Sequence, residues 1–237
     1  MQKTIVRIIM LGVLLNTVFA AENKQLTVKG FYNLPSVINM DTKNTAFAGS
    51  NVEFSSNADV SIGGGLGIGI EAVIAKVKEN IEIIGGGSWS FQRTGSDFEG
   101  KWKAELGNQK ETSKLPLGSD VNDIKVNIKS IYAKARYLFN PETSTSFYVA
   151  GKAAYNMIMI DFSSPYIDDA KFDSGIGFGF SVGMIYENDF DIEIAIDSIM
   201  GAAKHNFNIS DGYVSVSDTL KGNYSLTNMS VSVGYRF

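Results

Sequence analysis

The sequence predicts an all-β fold, an eight-stranded antiparallel up-and-down transmembrane β-barrel, on three observations. The last eight residues alternate strictly between apolar and small or polar side chains and end on Phe237. Eight candidate strands are joined by connections that are alternately long and short. Two of these strands carry glycines on one face and large apolar residues on the other.

The closing segment has two faces of different chemistry. One face carries Val231, Val233, Tyr235 and Phe237, and the other carries Ser230, Ser232, Gly234 and Arg236. A terminal aromatic suits a strand whose outer face meets lipid and whose end lies at the headgroups. This segment therefore indicates a membrane β-strand.

The candidate strands show a regular plan. They lie near residues 25–38, 60–74, 81–93, 123–138, 146–160, 175–186, 190–206 and 223–237. The connections 39–59, 94–122, 161–174 and 207–222 are long and polar, and those at 75–80, 139–143 and 187–189 are short. Long connections on one side, with short turns and both termini on the other, are typical of transmembrane barrels. Eight strands enclose an interior that side chains can fill.

Glycine faces indicate which side of the sheet meets lipid. In the second strand Gly63, Gly65, Gly67 and Gly69 oppose Ile62, Leu66, Ile68, Ile70 and Ile74. In the sixth strand Gly177, Gly179, Ser181 and Gly183 oppose a row of isoleucine, phenylalanine, valine, methionine and tyrosine. Glycines that faced water would weaken a strand, whereas inside a narrow barrel they make room for long side chains. The apolar faces are therefore predicted to face lipid.

Aromatic residues are predicted to form two girdles. The girdle and insertion segment at the short-turn end consists of Tyr137, Phe139, Phe147, Tyr186, Phe190, Val233, Tyr235 and Phe237. A sparser girdle at the other end consists of Tyr32, Trp89 and Phe91. Barrels gather aromatics at both interfaces.

The same alternation places ten charged residues in the interior. These are Lys29, Lys134, Arg136, Lys152 and Arg236, set against Glu71, Glu82, Asp191, Glu193 and Asp197. Equal numbers predict a salt-bridged plug rather than an ion-selective channel; acid–base chemistry by these carboxylates is the alternative. The fourth strand changes phase between Ile128 and Ile131, and a bulge near Ser130 is predicted to reconcile its two halves.

Residues 1–20 form a predicted signal peptide, and residues 21–237 the barrel. The segment has Lys3 and Arg7, an apolar run, and small residues at a cleavage site after Ala20. The apolar run is too short to span a bilayer. Cleavage removes two positive charges, so the formal charge changes from −4 to −6, which disfavours nucleic acid as a partner. The chain has no cysteine, and no cofactor or metal is expected.

Two segments raise alternatives to a purely structural barrel. His205, the only histidine, lies at the outer end of the seventh strand, a suitable height for chemistry on lipid, but no catalytic constellation surrounds it in sequence. The connection 94–122 contains Trp102, Phe98 and several lysines that suit an anionic ligand, yet acidic residues balance them. The chain is therefore predicted not to be an enzyme.

The C-terminal segment and the strand plan resemble the small eight-stranded outer-membrane proteins of the opacity-like, OmpX and OmpA-barrel kind. That family usually has glycine where Ser232 stands. The resemblance implies an outer-membrane location and a structural or adhesive role. It also implies contact with outer-membrane lipid and lipopolysaccharide, insertion by the outer-membrane assembly machinery, and a host or envelope ligand at the loops.

Three functions remain as hypotheses. The first is a structural or adhesion-type barrel with a plugged lumen. The second is a narrow pore for small or apolar solutes in the manner of OmpW-like proteins, and the third, more remote, is a lipid-modifying barrel enzyme.

Overall fold

A computed structural model describes residues 25–44, 52–106, 109–114, 124–161, 167–210 and 215–237. The strands are β1 (Leu26–Asn33), β2 (Ser36–Asn44), β3 (Val52–Ile62), β4 (Gly65–Lys78), β5 (Ile81–Leu106), β6 (Gln109–Lys114), β7 (Ile124–Phe139), β8 (Thr145–Asp161), β9 (Ile167–Phe172), β10 (Gly175–Tyr186), β11 (Phe190–Ser210) and β12 (Ser215–Arg236). No helix in these ranges is long and apolar enough to cross a membrane. The predicted signal peptide lies outside them.

Eight strands close into a ring. The order is β1, β4, β5, β7, β8, β10, β11 and β12, and every neighbouring pair is antiparallel. The closing pair joins β1 to β12, from Thr27 opposite Arg236 to Asn33 opposite Ser230. The predicted eight-stranded antiparallel up-and-down barrel is therefore confirmed.

The long connections contain more strand than the sequence indicated. β2 and β3 form a hairpin within the predicted connection 39–59, and this hairpin continues the pairing of β1 with β4. β11 and β12 remain paired as far as Ser210 opposite Ser215. The barrel wall thus continues beyond the predicted strand ends, because hydrogen bonding to a neighbouring strand extends through polar sequence that lacks an apolar face.

The opposite end has tight turns, as predicted, and is called the short-turn end below. Glu187 and Asn188 connect β10 to β11 with φ values of 51° and 64°. These two residues and Asp189 form a three-residue connection between the paired residues Tyr186 and Phe190, and the Asp189 amide donates to the Tyr186 carbonyl at 3.2 Å. The positive φ values of the first two residues suit the twist of a tight hairpin turn. Asn140, with φ 57°, serves the turn between β7 and β8.

Along the barrel axis, the apolar side chains change from the outer face of the wall to its inner face. On β12, Val231 and Val233 face outward, 41% and 55% exposed, while Ser232 and Arg236 face inward. Farther from the short-turn end, Leu226 faces inward at 0% exposure, and the outward neighbours are polar. On β12, apolar residues thus face outward near the short-turn end and inward farther from it, a change that we call the polarity inversion.

The prediction of a bulge near Ser130 is wrong. β7 pairs with β8 without a register shift from Lys125 opposite Asp161 to Phe139 opposite Phe147. Its even-numbered residues face inward throughout, so Val126 and Ile128 are buried inside the barrel. The apolar residues of β7 change phase in the sequence because those up to Ile128 face inward, whereas Ile131 and the alternate residues after it face outward. The register shift of this region lies on β5, between Ser90 and Arg93.

Candidate functional site

Eight of the ten predicted interior charges form one connected network near the short-turn end. They are Lys29, Glu71, Glu82, Lys134, Arg136, Asp191, Glu193 and Arg236. They come from β1, β4, β5, β7, β11 and β12, and each is at most 8% exposed. We call this set the charged network.

Two lysines lie in the part of the charged network that is farther from the short-turn end. The Lys29 Nζ lies 3.0 Å from Glu71, 3.2 Å from Asp191 and 3.5 Å from Glu193. The Lys134 Nζ contacts Glu71 and lies 2.8 Å from Glu193. Each carboxylate is therefore shared by two or more cations, which compensates the loss of hydration that burial causes.

Arg136 contacts three carboxylates in the part of the charged network that is nearer the short-turn end. Its guanidinium lies 2.9 Å from Asp191 and 3.4 Å from both Glu71 and Glu82. It also lies 4.3 Å from the centre of the Tyr148 ring. A planar guanidinium can satisfy several carboxylates and stack on an aromatic ring at the same time.

Arg236 joins the C-terminal strand to the network. Its guanidinium lies 3.5 Å from Glu82 and donates a hydrogen bond to Gln25 Oε1. The Arg236 backbone amide donates to the Asp189 carbonyl at 2.6 Å. The last strand is thus held by both side-chain and main-chain bonds at the point where the ring closes.

The remaining predicted pair lies apart from the network. The Lys152 Nζ is 2.6 Å from Asp197, and their side chains are 20% and 18% exposed. The structure therefore places all ten residues inside the barrel, eight in one network and two in a separate ion pair. The role of these ten residues as a plug stays a prediction.

Two interior tyrosines were missed in the sequence. The Tyr148 hydroxyl, with its single proton, lies 2.6 Å from Asp191 Oδ1 and 2.9 Å from Glu193 Oε2, so these two carboxylates share it as a donor. The Tyr132 hydroxyl donates to Glu71 at 3.1 Å. Alternation could have found both, because Tyr132 is in phase with Lys134 and Tyr148 with Lys152. Aromatic residues had been considered only for the lipid face.

Glycines on the inner face provide space for large interior side chains. A Cβ atom on Gly183 would lie 2.5 Å from the Tyr148 ring, and one on Gly179 would overlap the Asp197 carboxylate. On β4, a Cβ on Gly67 would lie 2.2 Å from the Phe31 ring. These glycines make room for large side chains from neighbouring strands.

A second interior layer is apolar and lies beyond the polarity inversion. It consists of Ile38, Met40, Val60, Ile62, Ile124, Val126, Ile128, Ile158, Ile160, Ile199, Ala203, Tyr224 and Leu226, each at most 8% exposed, with Phe172 packed against them. We call this set the apolar cluster. It fills the barrel as the core of a water-soluble β-protein would.

Arg93 lies at the boundary between the two layers, and the sequence did not reveal it. It is 1% exposed and donates hydrogen bonds to the carbonyls of Gly63 and Leu34, to Ser36 Oγ and to Asn228 Oδ1, all at 2.8–2.9 Å. Leu34, Ser36 and Gly63 lie at the two interruptions that separate β1 from β2 and β3 from β4, and Asn228 lies on β12. Trp89 and Phe91 face outward, so simple alternation would place the Arg93 side chain outward as well. The register shift on β5 between Ser90 and Arg93 turns this side chain inward instead.

The lipid face carries the predicted girdle residues. Tyr137, Phe139, Phe147, Tyr186, Phe190, Val233, Tyr235 and Phe237 all face outward, between 42% and 70% exposed. Edge-to-face ring contacts join Tyr235 to both Phe190 and Phe237 at centroid distances of 5.4 and 4.9 Å. At the other end Tyr32, Trp89 and Phe91 also face outward, and Tyr155 adds a ring that the sequence analysis had not included.

The predicted alternative sites receive no support from described side chains. The His205 backbone pairs with Leu220 between β11 and β12, but its side chain lies outside the described residues. The same holds for Phe98, Trp102 and the lysines of 94–122. Across the part of the chain that the structure describes, no group of three or more His, Cys, Asp or Glu residues could hold a metal ion.

The architecture is shared with solved outer-membrane barrels. OprG from Pseudomonas aeruginosa is 11% identical over 90% of this chain and 95% of its own, with a TM-score of 0.49. AlkL is 19% identical over 92% of both chains, with a TM-score of 0.44. The protease OmpT from Escherichia coli is 6% identical over 92% of this chain and 99% of its own, with a TM-score of 0.43.

No protein-family model and no curated protein sequence matches the chain. The predicted resemblance to small outer-membrane barrels is confirmed at the level of architecture. A fold of this kind does not by itself assign an activity.

Proposed function

We propose that this protein is a bacterial outer-membrane barrel with a closed lumen, whose strand extensions beyond the membrane form a rigid surface for adhesion or envelope contact. The polarity inversion is the observation that carries this proposal. Strands that merely ended in solvated loops would not need a buried apolar cluster such as that around Ile38 and Leu226.

The lipid face supports the membrane placement and the orientation. On β12 the outward apolar row runs from Met229 to Phe237, nine residues, which matches the length of a tilted membrane strand. Short turns lie on the periplasmic side in this class of barrel, so the apolar cluster lies on the external side.

Lipopolysaccharide is the proposed lipid partner at the external interface. The Lys129 ammonium lies 5.2 Å from the centre of the Trp89 ring, at the upper edge of the lipid face. An aromatic ring that holds a cation at headgroup height suits contact with lipid phosphate groups.

The closed lumen is tested by conductance. Both the charged network and the apolar cluster fill the interior, so purified barrel in planar bilayers should show no stable single-channel conductance. Reproducible channels of uniform size would overturn the closed lumen.

The location is tested separately by fractionation and gel mobility. The protein should appear in the outer-membrane fraction as a chain shortened by about 20 residues, because the signal peptide is expected to be removed. Unheated and heated samples should migrate differently in detergent gels. Recovery as a soluble periplasmic protein would contradict the location.

The adhesive role requires a matched pair of surface-displayed barrels. The first is the natural chain, and in the second residues 41–57 are replaced by Asn-Gly, a turn that fits between the paired residues Met40 and Ala58. The shortened hairpin keeps Ile38 and Val60 in the apolar cluster. Attachment of bacteria to host cells should fall for the shortened barrel at equal surface amounts. Equal attachment with and without any barrel would exclude the adhesive role.

A narrow pore for apolar solutes is the second candidate, and the apolar cluster favours it. An interior lined by isoleucine, valine and leucine could receive an apolar molecule if the packing opened. Uptake of a fluorescent fatty acid into proteoliposomes should then exceed uptake into empty liposomes. Equal uptake would exclude this pore.

A further inference from the structure

A cavity of about 80 Å³ separates the charged network from the apolar cluster. Lys29, Glu71 and Glu193 line its lower side, and Ile128 and Ile199 line its upper side. We call this cavity the chamber. It belongs to neither filled layer, so the proposed function does not explain it.

Neutral polar side chains supply much of the chamber wall. They include Asn33, Ser90, Ser130, Asn156, Asn228 and Ser232. Several are held by one another: Asn33 Nδ2 donates to Ser90 at 3.0 Å, and Asn228 Nδ2 donates to Asn33 at 2.7 Å. Ser130 donates to Asn156 Oδ1 at 2.6 Å. The wall is thus fixed by hydrogen bonds, and its geometry is formed in advance.

Two of these wall residues keep a polar atom without a partner among the described protein groups. These atoms are Asn156 Nδ2 and Ser232 Oγ, on residues that are 2% and 7% exposed. The Oδ1 oxygen of Asp197, which also lines the chamber, is a third. A buried polar atom without a hydrogen bond destabilises the folded state, and proteins satisfy such atoms with an enclosed polar molecule.

We propose that the chamber is a binding site for small, uncharged, hydrogen-bonding molecules, and that water occupies it in the resting barrel. The charges that line it are already paired: Lys29 with Glu71 and Glu193, and Lys152 with Asp197. An ion would therefore lack a counter-charge. An apolar guest would leave Asn156 Nδ2 and Ser232 Oγ unsatisfied.

The size of the chamber agrees with this ligand class. About 10–15 Å³ is enough to hold one water molecule, so the chamber accommodates several. Free donor and acceptor atoms on different walls allow a bound cluster to bridge β8, β11 and β12. The barrel then contains a hydrated layer between an ionic seal and an apolar seal.

The first test compares two buried serines by urea unfolding of the barrel in detergent. Ser232→Ala removes a hydroxyl that only the bound molecule can satisfy. With water in the chamber, the unfolding equilibrium constant should rise about two- to tenfold. If the chamber is dry, removing an unsatisfied hydroxyl leaves stability unchanged or increases it, and this result overturns the proposal.

Ser146→Ala is the matched control. Ser146 is 5% exposed, and its hydroxyl donates to the Asn140 carbonyl at 2.9 Å, so this variant measures the loss of one satisfied bond. A destabilisation by Ser232→Ala similar to that by Ser146→Ala supports a bound partner for Ser232.

The second test observes water directly by NMR in lipid nanodiscs. Magnetisation should pass from water to the side-chain amide of Asn156 with the sign expected of a bound water, and the assigned signal should vanish in Asn156→Leu. Absence of this transfer, with the amide signal visible, overturns the proposal. A conducting barrel would contradict the closed lumen but would leave both of these results intact, so the two proposals fail separately.

Discussion

The charged network and the apolar cluster fill the same barrel by opposite chemistry. In the network, Arg136 and its carboxylate partners lie behind a wall whose outer face is apolar. In the cluster, Ile38 and Leu226 lie behind a wall whose outer face carries polar residues such as Asn39 and Asn223. Where the outer face of the wall is apolar the interior is charged, and where the outer face is polar the interior is apolar.

On the proposed membrane placement, this difference marks where the bilayer ends. A strand with an apolar outer face can place polar residues inside, provided that charges are paired. A strand whose outer face meets water needs apolar residues inside to be stable. The height at which β12 changes from one arrangement to the other, near Thr227, is the expected external boundary of the bilayer.

Arg136→Ala should have the largest effect, because it leaves Glu71, Glu82 and Asp191 with fewer partners in a buried site. We expect a loss of about 3–5 kcal/mol in the free energy of unfolding, measured with urea in detergent. Lys78→Ala, at an exposed position in the β4–β5 hairpin, is the control and should change stability by less than about 0.5 kcal/mol. A small loss for Arg136→Ala would mean that the network does not stabilise the barrel.

Leu226→Ala tests whether the apolar cluster is packed as a true core. Leu226 is fully buried, so its truncation should cost about 3 kcal/mol in the same unfolding measurement. Truncating the outward-facing Val231 to Ala in detergent should cost clearly less. Equal losses would argue against a tightly packed cluster.

A pair of arginine substitutions on one face of β12 tests the boundary itself. Val233→Arg places a charge in the lipid zone and should cost about 2 kcal/mol when unfolding is measured in liposomes. Asn223→Arg lies on the same outer face but above the inversion, so its cost should be close to zero. If both substitutions cost the same, the proposed membrane boundary is misplaced.

Lys152→Ala should give the smallest effect, about 1 kcal/mol, because the Lys152–Asp197 pair is partly solvated and separate from the network. Urea unfolding next to Arg136→Ala provides the comparison. A loss as large as that of Arg136→Ala would show that Lys152 is coupled to the network through the Tyr132 ring, whose centre lies 5.1 Å from the Lys152 Nζ and whose hydroxyl donates to Glu71.

Alternation in the sequence predicted much of the barrel and of its interior. It placed Val231, Val233 and Tyr235 on the lipid face and all ten charges inside, because side-chain direction in a strand has a period of two residues. It failed at Arg93, where an irregularity on β5 reverses the alternation. It also predicts a bulge in β7, where the polarity of the two faces changes but the register does not.

The long connections were the other weak point. Polar segments such as 39–59 were expected to connect strands, yet β2 and β3 pair within them. Their strand structure depends on neighbours that are distant in sequence, and no local propensity indicates such pairing.

The sequence by itself determined the strand plan, the tight turns, the lipid-facing rows and the closing aromatic. These features follow from local alternation and from turn chemistry. Only the tertiary structure decided which charges meet, where polarity inverts and where the chamber lies. Lys29 and Glu193 are 164 residues apart, and closure of β1 on β12 brings them together. Such contacts are set by the register and curvature of the closed sheet, which a single strand does not specify.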